Sequence, residues 1–302
     1  MSIPMDKIIE QSSVDSDRLT DISKETLADV GFFWRELNDV KVLVCLVLEK
    51  NGFANGFSTR LGGVSPFPEN DLNLAGFDED SESNIFENRR RFLSVFEGEY
   101  ELATAWQVHG DRVKIVKTHD EAANSNDKFD ALISNLEKVL VGVKTADCVP
   151  LLLGDSKTKA FAAIHAGWRG TVQSIVCKSV EKMIETFGTD PGDLICAIGP
   201  AAGCKSYEIG QDVIDEFAAN FSTGGKYLTK TREGHALVDL PLANKDQLIS
   251  VGVPEKNIST APYCTMARTD LFFSYRIENR LNGKTGRLMS VIGRNQSVAA
   301  LG

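Results

Sequence analysis

Apolar residues gather most densely between positions 144 and 171, where two runs, 148–153 and 160–164, flank the polar segment 154–157. That pattern predicts a strand, a tight turn and a returning strand. A turn centred between Ser156 and Lys157 sets Cys148 opposite His165, and directly opposed residues hold their Cβ atoms roughly 4.5–5.5 Å apart on one face. A thiol and an imidazole so placed can share one metal ion or one proton. A one-residue slip would send them to opposite faces.

The rest of the chain reads around that hairpin. Leu27, Val30, Phe33, Trp34 and Leu37 recur at helical spacing, which predicts a helix over 25–37 and an N-terminal helical appendage over 1–39. Residues 40–302 then form a single catalytic domain. The near-continuous apolar run 41–48 predicts a buried strand. Gly62 and Gly63 allow a sharp bend that leaves Arg60 at a strand end beside a loop. Ser83 or Asn84 is a candidate cap for a helix ending at 96.

Strands over 102–108 and 112–116 flank the turn His109-Gly110-Asp111, and strands over 129–133 and 139–143 lead into the hairpin. After Gly170 an amphipathic helix runs to Gly188, carrying Val172, Ile175, Val176, Val180 and Met183 on one stripe. Further on come a strand over 193–199, helices over 212–221 and 241–251, and closing strands over 271–275 and 288–293. Strands and helices are mixed without strict alternation. The fold class expected is therefore α+β: a single mixed layered domain with antiparallel hairpins and packed helices, not a doubly wound sheet.

Composition narrows the function classes. No apolar run approaches the roughly 20 residues of a membrane span, and positions 1–20 lack the basic start and apolar middle of a secretion signal. A cytoplasmic protein is expected. The net charge of −9 argues against nucleic acid as a partner while leaving room for a small anionic substrate. The six cysteines form no C-x-x-C pair, so neither a disulfide framework nor a four-cysteine zinc site is indicated.

Of the four histidines, His119 and His235 lie in polar sequence and read as surface residues. His165 closes an apolar strand just before Ala166-Gly167-Trp168-Arg169-Gly170. Taken alone it reads equally well as a hydrogen-bonded core histidine, and Cys148 alone as a buried apolar thiol. Together with His109 they supply the three N and S ligands that a catalytic zinc site takes while keeping a fourth position open.

The words Q-V-H-G (107–110), T-A-D-C-V-P-L-L-L (145–153), A-I-H-A-G-W-R-G-T (163–171), I-G-P and Y-E-I-G (198–210) together resemble the laccase-like purine nucleoside phosphorylase family, also described as multicopper polyphenol oxidoreductases and peptidoglycan editing factors. The resemblance runs from about 56 to 287. It implies that His109, Cys148 and His165 ligate one zinc, which copper can replace in vitro because it outcompetes zinc at N and S ligands. It also implies phosphorolysis of adenosine, inosine and methylthioadenosine, with adenosine deamination as a second activity and with nucleoside and phosphate as small-molecule partners. Four histidines are too few for the several copper centres of a laccase.

Arg60, Arg169, Arg276 and Arg287 lie in family-like words and are candidates to hold substrate, since guanidinium groups bind phosphate bidentately. Arg60 is also a catalytic candidate. Asp147, beside the cysteine, and Glu208 in Y-E-I-G are the candidate proton carriers, although Asp147 points away from Cys148 in a regular strand. Two other classes stay open: a cysteine hydrolase with Cys148 as nucleophile and His165 as base, acting on a peptidoglycan precursor, and a metal-binding scaffold without catalysis.

Overall fold

The computed structural model describes residues 22–66, 70–75, 80–124 and 126–296; the polar stretch 1–21 lies outside them. The described strands are Phe32–Leu37 (β1), Val40–Cys45 (β2), Phe53–Ser58 (β3), Glu101–Ala103 (β4), Val113–Val116 (β5), Ala131–Ser134 (β6), Val139–Thr145 (β7), Val149–Asp155 (β8), Phe161–Ala166 (β9), Leu194–Ile198 (β10), Glu208–Gly210 (β11), Leu228–Arg232 (β12), His235–Val238 (β13), Ile258–Thr260 (β14) and Leu288–Arg294 (β15). One six-stranded sheet has the order β1-β2-β3-β15-β7-β4, the other β14-β10-β8-β9-β6-β5, and a third, small sheet the order β11-β13-β12.

Side chains alternating along β8 explain the layering. Val149, Leu151 and Leu153 share a buried cluster with Ile175, Val176, Val180 and Met183 of the helix Ile175–Phe187. Leu152 points the other way, into a cluster with Phe57, Val141, Val143 and Ile292 of the first sheet. The outer face of the first sheet, through Val42, Val44 and Val291, packs on Phe92 of the helix Glu82–Leu93. The order through the molecule is thus helix, sheet, sheet, helix, which is the mixed α+β class expected. Both central sheets are covered on both faces, and this is why their strands read as apolar runs instead of alternating patterns.

Several elements differ from the sequence expectation. The helix over 25–37 is only Lys24–Asp29, capped by the Ser23 hydroxyl. Gly31 at φ 85° then turns the chain into β1, whose F-F-W-R-E-L sequence favours a strand and pairs antiparallel with β2. This hairpin crosses the boundary drawn at residue 39. The strands expected around His109 do not pair with each other: β4 belongs to the first sheet and β5 to the second, so 104–112 carries the chain across the sandwich. The expected strand 271–275 is irregular and runs into a wide π-helical turn, Tyr275–Asn279.

The central hairpin forms, shifted by two residues: Pro150, not Cys148, stands opposite His165. Asp155 sets this register. Its backbone N–H donates to Ala160 O at 2.8 Å, and its carboxylate accepts from Lys157 N at 2.8 Å, Thr158 N at 3.1 Å and Thr158 Oγ1 at 2.6 Å. The turn is therefore centred one residue later than expected. Because the side-chain period of a strand is two, the shift preserves the face and leaves Cys148 just before β8, diagonal to His165.

Candidate metal centre and cavity

His165 is carried by β9 and is almost fully buried at 3% exposure. Its Nδ1–H donates to Asp130 Oδ1 at 2.9 Å, and its backbone N–H donates to Asp130 O at 2.8 Å. That leaves Nε2 to face the cysteine. His109 adopts φ 59° in the crossing segment, and its ring lies edge-on to that of His165, with centroids 4.8 Å apart. Cys148 follows Asp147, itself left-handed at φ 86°. The potential ligand atoms of His109, Cys148 and His165 all lie within 4.8 Å of one another. Two imidazoles and one thiol so placed form a donor set that could hold a metal ion favouring N and S ligands.

The surroundings leave little slack. A Cβ on Gly167 would lie 3.1 Å from both Cys148 Sγ and His109 Cδ2, so any larger residue there would push on two of the three side chains. Burial alone would raise the Cys148 thiol, but the His165 charge and hydrogen bonds from His109 and His165 hold it down to about 6. Burial would likewise lower His165; the Cys148 thiolate and the Asp130 carboxylate raise it to about 9.

The trio opens into a cavity of ≈ 800 Å³. Arg89, Lys144, Arg169, Arg276 and Arg287 line it, against one carboxylate among the described lining residues, Asp147. In a chain of net charge −9, this is a local concentration of positive charge suited to an anion. Trp106, Trp168, Tyr207 and Tyr275 add aromatic faces, and Trp106 and Tyr275 keep 55% and 51% of their surface exposed. Arginine and aromatic groups are paired: Arg169 over Trp168 at 4.2 Å, Arg276 over Tyr207 at 4.9 Å and Arg287 over Tyr275 at 5.8 Å.

The other candidates are placed differently from one another. Asp147 lines the cavity, yet its carboxylate accepts from Thr265 Oγ1 at 2.7 Å, Ser274 Oγ at 3.0 Å and Arg276 N at 2.7 Å. It ties the cysteine to the loop that bears Arg276, and burial raises its carboxyl despite these donors. Arg60 is not at the cavity. Its guanidinium is buried, with Nη2 2.6 Å from Asp71 Oδ2, Nη1 2.8 Å from Glu278 Oε1 and 2.7 Å from Thr269 O, and it stacks on Phe273 at 4.6 Å. The reading of Arg60 as a loop arginine free for substrate is corrected accordingly: it closes a buried ion-pair network.

Glu208 also departs from expectation. It lines an adjoining hollow of ≈ 350 Å³, and its carboxylate meets Arg232 Nη2 and Thr231 Oγ1, both at 2.8 Å. Those hydrogen bonds, Arg232 first, hold it down to about 2, which leaves no proton to give near neutral pH.

Sequence reasoning missed Asp130 and Gln107. A carboxylate inside the apolar strand 129–133 was the available signal, because a buried charge must be partnered. Gln107 bridges to β7 through its side-chain amide, with Nε2 2.6 Å from Lys144 O and Oε1 2.7 Å from Lys144 N.

Fold and site together define a mixed α/β protein with a potential His-Cys-His metal centre at the base of a basic, aromatic cavity. Residues 54–295 match the family model described as multi-copper polyphenol oxidoreductase laccase, and the chain belongs to that family. It is 34% identical over 246 residues to a purine nucleoside phosphorylase of Bacteroides thetaiotaomicron, covering 78% of this chain and 89% of that one. It is 35% identical over 250 residues to a purine nucleoside phosphorylase of Staphylococcus saprophyticus, covering 79% and 91%. The crystal structure of YlmD from Geobacillus stearothermophilus superposes with a TM-score of 0.80 at 29% identity, covering 88% of this chain and 99% of that one. No helix among the described residues is long and apolar enough to cross a membrane.

Proposed function

We propose that this chain is a zinc-dependent purine nucleoside phosphorylase acting on adenosine, inosine and methylthioadenosine, with adenosine deamination as a second activity. The observation that carries the reading is the opening of the His109, Cys148 and His165 donor set into a cavity that offers both cations and aromatic faces. The names of its relatives as purine nucleoside phosphorylases support it.

Each part of such a substrate finds chemistry to match. A purine stacks on an aromatic face for about 1–3 kcal/mol per base, and the exposed rings of Trp106 and Tyr275 offer such faces. Arg169, Arg276 and Arg287 offer guanidinium groups to phosphate. His109, Cys148 and His165 would hold the zinc, which when bound would supply Lewis acidity, and copper could take its place in vitro. The reading takes Asp147, which lines the cavity and whose carboxyl is raised by burial, as the carrier of a proton at the purine. The reading makes nucleoside and phosphate the partners, without nucleic acid, in the cytoplasm.

The test is inosine incubated with and without phosphate, followed by separation of free bases. Hypoxanthine should form only with phosphate, and added salt should weaken phosphate binding by screening the arginines. Equal release without phosphate would make the protein a nucleoside hydrolase. A second reading is favoured by the closeness of the Cys148 sulfur to the His165 ring, with ligand atoms of the trio within 4.8 Å of one another: a thiol and its base in a hydrolase that edits a peptidoglycan precursor. Failure of every nucleoside in the panel would move that activity to first place.

A further inference from the structure

Asp130 takes no part in the ligand set, yet it touches both histidine-bearing segments. Its side chain is fully buried at 0% exposure. Oδ1 accepts from His165 Nδ1 at 2.9 Å and from His109 N at 2.9 Å. Oδ2 accepts from Gly110 N at 2.8 Å and Val108 N at 3.3 Å. Its backbone is held too, with N donating to Arg112 O at 3.1 Å and O accepting from His165 N at 2.8 Å. One carboxylate thus binds the ring of one histidine and three consecutive backbone N–H groups around the other.

We propose that Asp130 is the positioning residue of the metal centre, fixing the His165 tautomer and the left-handed turn at His109 with the same two oxygens. The inference rests on the metal-binding reading of the trio. A carboxylate that accepts from Nδ1–H leaves the Nε2 lone pair for the metal and makes the ring a better ligand. The same carboxylate gathers the N–H groups of 108–110, which the chain has left without strand partners while crossing between sheets. Orientation of His165 and placement of His109 are therefore one property, and either histidine would drift if the carboxylate were lost.

Asp130→Asn is nearly isosteric and separates these roles badly in either orientation. With its NH₂ in place of Oδ2, it points donors at the N–H groups of Val108 and Gly110. With its NH₂ in place of Oδ1, it forces His165 to accept at Nδ1 and to carry its proton on Nε2, the wrong tautomer for ligation. Metal affinity is measured by chelator competition with Zn²⁺ and Co²⁺, alongside the Co²⁺ absorption spectrum and the melting curve of the metal-free protein. The variant should bind about 10–100-fold more weakly, the usual cost of losing such a partner, with an altered Co²⁺ spectrum that a merely structural role would not produce. Native affinity and a native spectrum in Asp130→Asn would overturn the proposal. Absence of Co²⁺ binding by the native protein would overturn the metal reading with it.

A second measurement covers failure of the variant to fold. In the native, metal-loaded protein, ¹⁵N spectra should show His165 protonated at Nδ1, with a slowly exchanging proton, and unprotonated at Nε2. The opposite tautomer would overturn the assignment.

Discussion

Gln107 pairs with the backbone of Lys144 in both directions, its Nε2 donating to Lys144 O at 2.6 Å and its Oε1 accepting from Lys144 N at 2.7 Å. The pair acts as a side-chain rung on β7, and it moors the segment bearing His109 two residues before the histidine. Asp130 holds that segment on its other side, so His109 is fixed from both sheets.

Gln107→Ala removes both of its hydrogen bonds to the half-buried backbone of Lys144. The expected loss of stability is about 1–3 kcal/mol, together with weaker metal binding as His109 gains freedom. Thermal melts and chelator titration of the same sample check it. A melt lowered by this amount with metal affinity unchanged would show that Asp130 alone places the histidine.

What the sequence disclosed and what it hid divide along one physical line. Local period and turn chemistry were legible: the amphipathic helix ending at Gly188 is there, with Gly188 at φ 70°, although it starts only at Ile175 after a left-handed break at Ser174, and the central hairpin forms on its expected face. Partner choice at long range was not. β4 and β5 look like neighbours around His109, but they are short edge strands of different sheets, and nothing in three or four residues shows which sheet each joins. Arg60 followed by two glycines looked like an open loop, because nothing nearby in sequence announces Asp71 and Glu278. The His109, Cys148 and His165 trio was legible from the hairpin spacing and from motif words alike, while Asp130, which holds two of its members, lacks such a word and was visible only as a charge in an apolar strand.

Arg60→Ala should act on stability, not on substrate KM. The change would leave the buried carboxylates of Asp71 and Glu278, 5% and 6% exposed, without their cation. Breaking a buried pair in this way typically costs about 3–5 kcal/mol, so denaturant melts should shift strongly while the metal content and KM of the surviving folded protein stay near native. A large rise in phosphate KM at unchanged stability would return Arg60 to the cavity.

Glu208→Gln tests the proton-carrier assignment through pH. The hydrogen bonds from Arg232 and Thr231 depress the folded carboxyl from 4.5 to about 2. For a carboxyl depressed in the folded state, the stabilisation is present above the unfolded value and is lost as pH falls through the folded one. The contribution of Glu208 therefore disappears between about pH 4.5 and 2, far below neutrality. Activity between pH 6 and 9 should keep its profile in Glu208→Gln. Loss of one limb of that profile would restore Glu208 as an acid or base.

Cys148 separates the two leading readings through its chemistry toward an alkylating agent. Cys45 and Cys196 are fully buried and should resist iodoacetamide, whereas Cys204 is exposed and should react in every sample, serving as an internal control. A thiolate engaged by a metal is no longer a free nucleophile, so Cys148 should label slowly in the metal-loaded protein and quickly after chelation, as followed by peptide mass spectrometry. Cys148→Ala should lose metal and phosphorolysis together, because the trio supplies only three protein ligands and two imidazoles alone hold zinc poorly. Full metal occupancy in Cys148→Ala would dismiss the trio. Rapid labelling of the metal-loaded native protein, with a covalent substrate adduct at the same sulfur, would instead make Cys148 the nucleophile of a hydrolase and His165 its base.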